Sequence, residues 1–169
     1  MKINVGCGRR IMDGWTNCDI VRHPEAERDP EILCNALDIP LPNESADVVM
    51  AIHLFEHFYR WDADKALKEW RRLLKPGGLL ILELPNLVKC CQNYIKGVTR
   101  GKHPDQMSRW GIYGDPRAEN VWMMHHWGYS PKELIQILKQ SGFKTAVEKE
   151  TEFHRGGRKE RDMRIEAIK

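Results

Sequence analysis

The fold is decided by the stretch Ile3-Asn4-Val5-Gly6-Cys7-Gly8, a short apolar strand that runs into two glycines one residue apart. A second short segment, Trp15-Thr16-Asn17-Cys18-Asp19, ends on a carboxylate. A strand, a Gly-x-Gly turn, a second strand and an acid are the elements with which a doubly wound sheet binds the ribose of a nucleotide-like cofactor. The glycines let the backbone approach the ligand, and the acid can accept both ribose hydroxyls. The opening of the chain therefore predicts an α/β domain with a cofactor of this type.

The length and composition of the chain indicate one ordinary globular core. The chain has 169 residues, of which 41% are hydrophobic and 30% are charged. A chain of this length can bury one core and leaves little for a second domain, so residues 1–169 are expected to form a single domain. No apolar run approaches the roughly 18 residues that a membrane span needs, and the first residues do not resemble a secretory signal. The expected location is the cytoplasm, without membrane association.

The cysteines and the net charge argue against a disulfide-stabilised protein and a structural zinc site, and give no indication of nucleic-acid binding. The five cysteines are odd in number and form no Cys-x-x-Cys pair, which argues against both a disulfide framework and a structural zinc site. They are expected to be reduced thiols. The formal net charge of +3 is too small to indicate nucleic-acid binding by itself.

Strands and helices alternate along the chain. Apolar runs predict strands over residues 2–5, 16–20, 32–37, 47–52 and 79–84, and a terminal antiparallel hairpin over 143–150 and 163–168, joined across Gly156-Gly157. Helical spacing predicts helices over 62–74 and 87–96, and a capping box at Ser130-Pro131-Lys132-Glu133 starts another helix. The predicted fold is Rossmann-like: a doubly wound, mostly parallel seven-stranded sheet with a C-terminal antiparallel hairpin.

Five blocks in order carry a resemblance to a known family. They are residues 3–8, Asp19, Leu37-Asp38-Ile39-Pro40-Leu41-Pro42, Ala46-Asp47-Val48-Val49 with Glu56-His57 after it, and Leu74-Lys75-Pro76-Gly77-Gly78-Leu79-Leu80-Ile81. Together they resemble the class I S-adenosylmethionine-dependent methyltransferases. The spacing from Gly8 to Asp19 is similar to that of a subgroup with a trimmed first crossover, several of whose members accompany surface-polysaccharide genes.

The resemblance implies S-adenosylmethionine as cofactor and assigns residues to it. Gly6, Cys7 and Gly8 would lie under the cofactor, and Asp19 would accept the ribose hydroxyls. Asp38 would lie near the adenine amino group, with Leu37 beside the ring. These roles suit the chemistry of the side chains, because carboxylates accept from hydroxyls and amines while an apolar neighbour covers the ring face.

The first crossover departs from the family pattern. The helix that usually follows the glycines, and whose amides help to hold the methionine carboxylate, does not fit into Arg9-Arg10-Ile11-Met12-Asp13-Gly14. We expect Arg9 or Arg10 to supply the missing positive charge, because a guanidinium suits a carboxylate. The alternative is a solvated basic loop.

The acceptor side is expected in residues 98–129, a segment without a regular period that would act as a substrate-binding or lid insertion. Its aromatic residues Tyr113, Trp122, Trp127 and Tyr129 are the candidates for acceptor contact. His53, at the end of the fourth strand beside the cofactor, His125 and His126 are the candidate general bases, because the unperturbed pKa of histidine lies near working pH. His126 is slightly favoured over His125 because it adjoins Trp127 and Tyr129.

Metal and nucleic-acid sites are not expected. His125 and His126 are adjacent, so their side chains diverge in a strand or in a helix and do not form a ready pair of ligands. The basic stretch from His154 to Arg161 could touch phosphates, but a solvated turn is the simpler interpretation.

The favoured function is methyl transfer to an oxygen or nitrogen of a small molecule, such as a sugar or a nucleotide-sugar. A nucleic-acid methyltransferase is an alternative, but His53-Leu54-Phe55-Glu56 stands where base-amino methylases carry Asp/Asn-Pro-Pro-aromatic. A noncatalytic partner protein with this fold and a nicotinamide dehydrogenase are further alternatives. Against the latter, Arg9-Arg10-Ile11 replaces the third fingerprint glycine. The oligomeric state stays open.

Overall fold

The chain folds around one mixed β-sheet in a computed structural model that describes residues 1–99, 103–118, 121–153 and 158–169. Within these residues, seven strands are arranged in the order β3-β2-β1-β4-β5-β7-β6. They are β1 (Lys2–Val5), β2 (Thr16–Asp19), β3 (Ile32–Leu33), β4 (Ala46–Ile52), β5 (Leu74–Pro85), β6 (Thr145–Lys149) and β7 (Asp162–Ile168). The first five strands pair in parallel, and β7 is antiparallel to both β5 and β6. The predicted fold class is confirmed, although β3 is much shorter than the predicted strand.

Four α-helices accompany the sheet in the described residues: α1 (Arg60–Leu73), α2 (Leu87–Ile95), α3 (Arg109–Tyr113) and α4 (Pro131–Gln140). Two of them begin at side-chain caps. The Asn86 side chain accepts the amides of Val88 and Lys89, and the Ser130 hydroxyl accepts the amide of Glu133 at 3.2 Å. These caps satisfy amides that a helix start leaves unpaired, as the sequence predicted for α4. The short helix α3 was not predicted.

The main core lies on one face of the sheet. Strand pairing places Ile3, Val49, Leu80 and Ala167 side by side on this face, and all four are buried. The apolar sides of α1 and α4 belong to the same cluster, through Leu67, Trp70, Leu134 and Leu138. Burial of these side chains is the main stabilising contribution, and it fixes the sheet on which the site is built.

The connection from β1 to β2 contains no α-helix, and side chains support it instead. The Asn17 amide oxygen accepts from the Asn4 side chain and from the Met12 backbone amide, both at 2.9 Å, and its Nδ2 donates to Glu31 at 2.8 Å. This polar network, buried at Asn4 and Asn17, holds the short loop against the strand ends, where a longer crossover would place a helix. None of the helices in the described part of the chain combines the length and apolar character that a membrane span requires.

Candidate functional site

The glycine turn lies at the carboxyl end of β1 and has a fixed shape. The amides of Gly6 and Cys7 both donate to the Cys18 carbonyl, at 2.8 and 3.1 Å. Gly6 has φ +64°, and a Cβ built on it would lie 2.8 Å from the side chain of Leu54. Gly8 has φ +54°, but a Cβ there would meet nothing nearer than a His23 nitrogen at 4.0 Å. A side chain at Gly6 would have to displace Leu54 and adopt a positive φ, which favours glycine, whereas Gly8 borders open space that a ligand can approach.

Asp19 connects the end of β2 to this turn. Its Oδ2 accepts the Gly8 amide at 2.7 Å and its Oδ1 accepts the Val21 amide at 3.1 Å. The side chain is only partly buried. A carboxylate can accept about four hydrogen bonds, so Asp19 keeps acceptor capacity for two hydroxyls. The turn and the acid are thus compatible with the ribose end of a nucleoside, and their cofactor-binding roles stay predictions.

Leu37 and Asp38 lie in a turn after β3. The Asp38 amide donates to the Asn35 carbonyl at 3.0 Å, and the Leu37 amide donates to the Asn35 side chain at 2.9 Å. The Trp70 indole of α1 holds the turn through the Ala36 carbonyl at 2.9 Å. Leu37 is half-buried and Asp38 is exposed. Their adenine-binding roles stay predictions.

Arg9 and Cys7 have surroundings that restrict their predicted roles. The exposed Arg9 guanidinium pairs with Glu25, and Arg10 donates to the Phe153 carbonyl at 3.0 Å. Arg9 would have to exchange Glu25 for a ligand carboxylate, so its role stays a prediction. Burial raises the pKa of the Cys7 thiol to about 12, so this side chain is neutral at pH 7, and the cofactor-binding role of Cys7 stays a prediction.

His53 follows β4 with φ +52° and stands between two buried carboxylates. Its Nδ1 lies 2.7 Å from Glu56 Oε1, and its Nε2 lies 3.3 Å from Asp162 Oδ2. Asp162 also accepts from the Arg161 guanidinium at 2.6 Å. The result is a row of alternating charges at the carboxyl ends of the strands.

The charges of this row are set by the pairing. Burial disfavours a charged imidazole, but Glu56 and Asp162 outweigh burial and raise the pKa of His53 to about 9. Burial also opposes the Glu56 charge, and His53 overcomes it and holds the pKa of Glu56 at about 2. At neutral pH His53 therefore carries both ring protons. A ring with both protons has no lone pair to accept another, so this state disfavours His53 as a base, and its catalytic role stays a prediction.

His125 and His126 point to different surroundings, as their adjacency predicted. His125 lies near the buried row, with Nδ1 3.1 Å from the Gly111 carbonyl and Nε2 3.8 Å from Glu56 Oε1. Burial lowers the pKa of His125, so its ring is neutral at pH 7. His126 instead stacks on Tyr59, with ring centroids 4.1 Å apart.

Three of the predicted acceptor residues present exposed aromatic surface. Tyr113, Trp122 and Trp127 are 67%, 69% and 43% exposed. Large aromatic side chains are usually buried, and an exposed group of them is typical of a surface that contacts a ligand or a partner. Their role in acceptor binding stays a prediction.

Tyr129 is a correction to the predicted acceptor set. It is fully buried, and its ring lies 5.0 Å from that of Phe55 in the main core. Its carbonyl accepts the Leu87 amide at 2.9 Å, beside the start of α2. A residue in this position cannot touch a substrate without unpacking the core.

The basic stretch from His154 to Arg161 lies partly outside the described residues, which exclude 154–157, and with them the predicted Gly156-Gly157 turn. Arg161 itself is buried, and it is bound to Asp162 and to the Gln106 carbonyl at 3.1 Å. It is therefore not available to a phosphate.

The sequence analysis missed Asp162 as a member of the site. Antiparallel pairing brings it opposite Pro85, and this long-range register has no local signature. The one local signal is that an arginine and an aspartate stand together before an apolar strand. The sequence singles out the pair Glu56-His57, but nothing local in it indicates that Glu56 belongs to a buried row of charges.

Comparison with known proteins finds one matching family model and a shared fold. Residues 13–82 match the family described as "Methyltransferase domain". A probable S-adenosylmethionine-dependent methyltransferase of Mycolicibacterium smegmatis is 37% identical over 54 residues, which are 32% of this chain and 20% of that protein. The chain spans half or less of the length of the curated relatives that it matches.

Solved structures share the fold over 99% of this chain. A methyltransferase of Archaeoglobus fulgidus, described as dependent on S-adenosylmethionine, superposes with a TM-score of 0.64 at 19% identity, over 85% of its own chain. The 1,6-didemethyltoxoflavin-N1-methyltransferase of Burkholderia thailandensis, solved with S-adenosylhomocysteine, gives 0.64 at 15% identity over 70% of its chain. At these identities the likeness establishes the fold alone.

Proposed function

We propose that the chain is a class I S-adenosylmethionine-dependent methyltransferase and that it transfers a methyl group to an oxygen or nitrogen atom of a small molecule. The observation that carries the proposal is the glycine turn joined to Asp19. A turn that needs glycine, open space beside it and an acid with spare acceptor capacity form a nucleoside cradle. S-adenosylhomocysteine in the Burkholderia relative supports the same cofactor here.

The cofactor would be held by the residues that surround this cradle. Gly6 and Gly8 let the backbone approach it, and Asp19 accepts from its ribose. Leu37 would lie beside its adenine ring and Asp38 would accept from the adenine amino group. Arg9 would pair with its carboxylate. The bound cofactor supplies a methyl group already activated on a sulfonium, so the chain need not generate a strong electrophile. Its own residues contribute alignment of the acceptor and exclusion of water.

His126 is the proposed base for an acceptor that must lose a proton. His53 is charged and lies between two carboxylates, so it is not favoured as the base. The Nδ1 proton of the largely buried His125 is donated to the Gly111 carbonyl. His126 lies outside this buried row and stacks on the exposed ring of Tyr59. A histidine in such a position can exchange protons with solvent and with a substrate.

The proposed acceptor is a small ring-bearing molecule, with a sugar or nucleotide-sugar as the first class to test. Exposed planar surfaces at Tyr113, Trp122 and Trp127 support this choice, because aromatic side chains contact the faces of rings. A nucleic-acid acceptor has less support, because Arg161 of the basic stretch is buried and paired.

Binding and turnover measurements separate the alternatives. Calorimetry with S-adenosylmethionine, S-adenosylhomocysteine and NAD should show binding of the first two and at least about tenfold weaker binding of NAD. A screen with methyl-labelled cofactor should then place label in a small-molecule fraction and not in RNA or DNA. Preferred binding of NAD would indicate a dehydrogenase. Cofactor binding without transfer to any acceptor would favour a noncatalytic partner protein.

A further inference from the structure

Glu56, His57 and His125 come together beside the carboxyl end of β4. Each offers one ligand atom, and these atoms lie within 4.8 Å of one another. The residues come from two separate parts of the chain: Glu56 and His57 follow β4, and His125 lies about 70 residues later, just before α4. Glu56 is buried and the two histidines are partly buried.

Hydrogen bonds leave one nitrogen of each histidine ready to coordinate. His57 Nδ1 lies 3.0 Å from the Met124 carbonyl, and His125 Nδ1 lies 3.1 Å from the Gly111 carbonyl. A carbonyl accepts only, so Nδ1 of each ring must carry the proton in these contacts. In a neutral ring the lone pair is then on Nε2. Metal-binding histidines are held in this way, with the far nitrogen donating to a backbone carbonyl.

Glu56 supplies an oxygen that the described residues leave unsatisfied. His53 binds its Oε1 at 2.7 Å, whereas its Oε2 is buried without a hydrogen-bond partner among the described residues. A buried carboxylate oxygen without a partner loses its hydration without compensation, so such an atom points to a missing ligand. His53 also fixes the orientation of the carboxylate, as the outer-shell partner of a ligating acid does.

We propose that Glu56, His57 and His125 bind one divalent first-row transition-metal ion. Two imidazoles and one carboxylate are a donor set for such ions and are unlike the all-oxygen sets of Mg²⁺ and Ca²⁺. Tetrahedral coordination at about 2.0–2.1 Å places ligand atoms roughly 3.3 Å apart, so small side-chain rotations close the cluster. The expectation of no metal rested on the pair His125-His126, whereas the structure groups His125 with Glu56 and His57. The proposal does not depend on methyl transfer.

The test is direct metal binding to the full chain. The protein is stripped with a chelator, kept reduced with a phosphine, and titrated with Zn²⁺ by calorimetry and with Co²⁺ by absorption spectroscopy. We expect one ion per chain, with a cobalt spectrum of nitrogen and oxygen ligation. Glu56→Gln, His57→Asn and His125→Asn should each weaken binding at least about tenfold, because losing an outer-shell partner alone weakens metal sites by about 10–100-fold.

His126→Asn is the matched control, since it removes a neighbouring histidine outside the cluster and should leave metal affinity unchanged. Thermal melts of the metal-free variants identify any that fail to fold, and the remaining ligand variants then carry the test. Absence of stoichiometric binding would overturn the proposal. A thiolate-to-cobalt charge-transfer band, or equal binding by folded ligand variants and the parent, would also overturn it, because the ion would then lie elsewhere.

Discussion

The charge on His53 predicts a specific pH dependence of stability. A histidine whose pKa rises on folding stabilises the fold fully below its unfolded pKa of 6.5, and this contribution is lost as the pH rises through about 9. At about 1.4 kcal/mol per pKa unit the full effect is about 3 kcal/mol. About a fifth of the side chain reaches solvent, and screening reduces the effect, so we expect about 2–3 kcal/mol.

The measurement is the free energy of unfolding by urea between pH 6 and pH 9.5, with a chelator present to exclude metals. His53→Asn is the informative variant, because asparagine tolerates the positive φ at this position. The parent should lose about 2–3 kcal/mol more than His53→Asn over this range, and His126→Asn should follow the parent. Equal losses in the parent and in His53→Asn, or an imidazole pKa below 7 by NMR, would refute the buried row of charges.

Three further predictions test the fold and the acceptor surface. Gly6→Ala should lower the free energy of unfolding by about 1–3 kcal/mol more than Gly14→Ala, because both positions have positive φ but only a Cβ at Gly6 meets a neighbour. Equal free energies of unfolding for the two variants in urea titrations would mean that this contact is unimportant. Ser130→Ala should lower it by about 1 kcal/mol by removing a helix cap, and an unchanged midpoint would mean that the cap is dispensable. Trp122→Ala and Trp127→Ala should reduce kcat/KM for the acceptor at least about tenfold while cofactor affinity is kept; a parallel loss of cofactor affinity would contradict acceptor-side roles.

Patterns of a few neighbouring residues were enough to predict several strands and helix starts. The strand Lys2–Val5 and the Ser130 cap appear where the sequence placed them, because an apolar run and a capping box act over a few residues. The third strand was overestimated, since the Asn35 side chain accepts the Leu37 amide and turns the chain after Leu33. Short side chains of this kind compete with strand pairing.

The candidate site could be predicted only in part. The glycine turn and Asp19 carry a recognisable spacing, so their meeting at one sheet edge followed from the parallel strand order. The charge on His53 depends on Asp162, which only the register of the last strand brings near. The burial of Tyr129 likewise depends on its packing against Phe55, which is distant in the sequence. Such long-range pairings have no signature in a single sequence.

The most direct test of the cofactor site is the affinity of Asp19→Ala for S-adenosylmethionine, measured by calorimetry. Removing an ionised acceptor of ribose hydroxyls should weaken binding at least about tenfold, because charged hydrogen bonds contribute about 1.5–3 kcal/mol each. Asp13→Ala is the matched control, since Asp13 is an exposed acid of the connection between β1 and β2, and it should bind like the parent. Melting curves confirm that both variants are folded. A tenfold or greater loss confined to Asp19→Ala is the predicted result, and parental affinity in folded Asp19→Ala would contradict the proposed cofactor site.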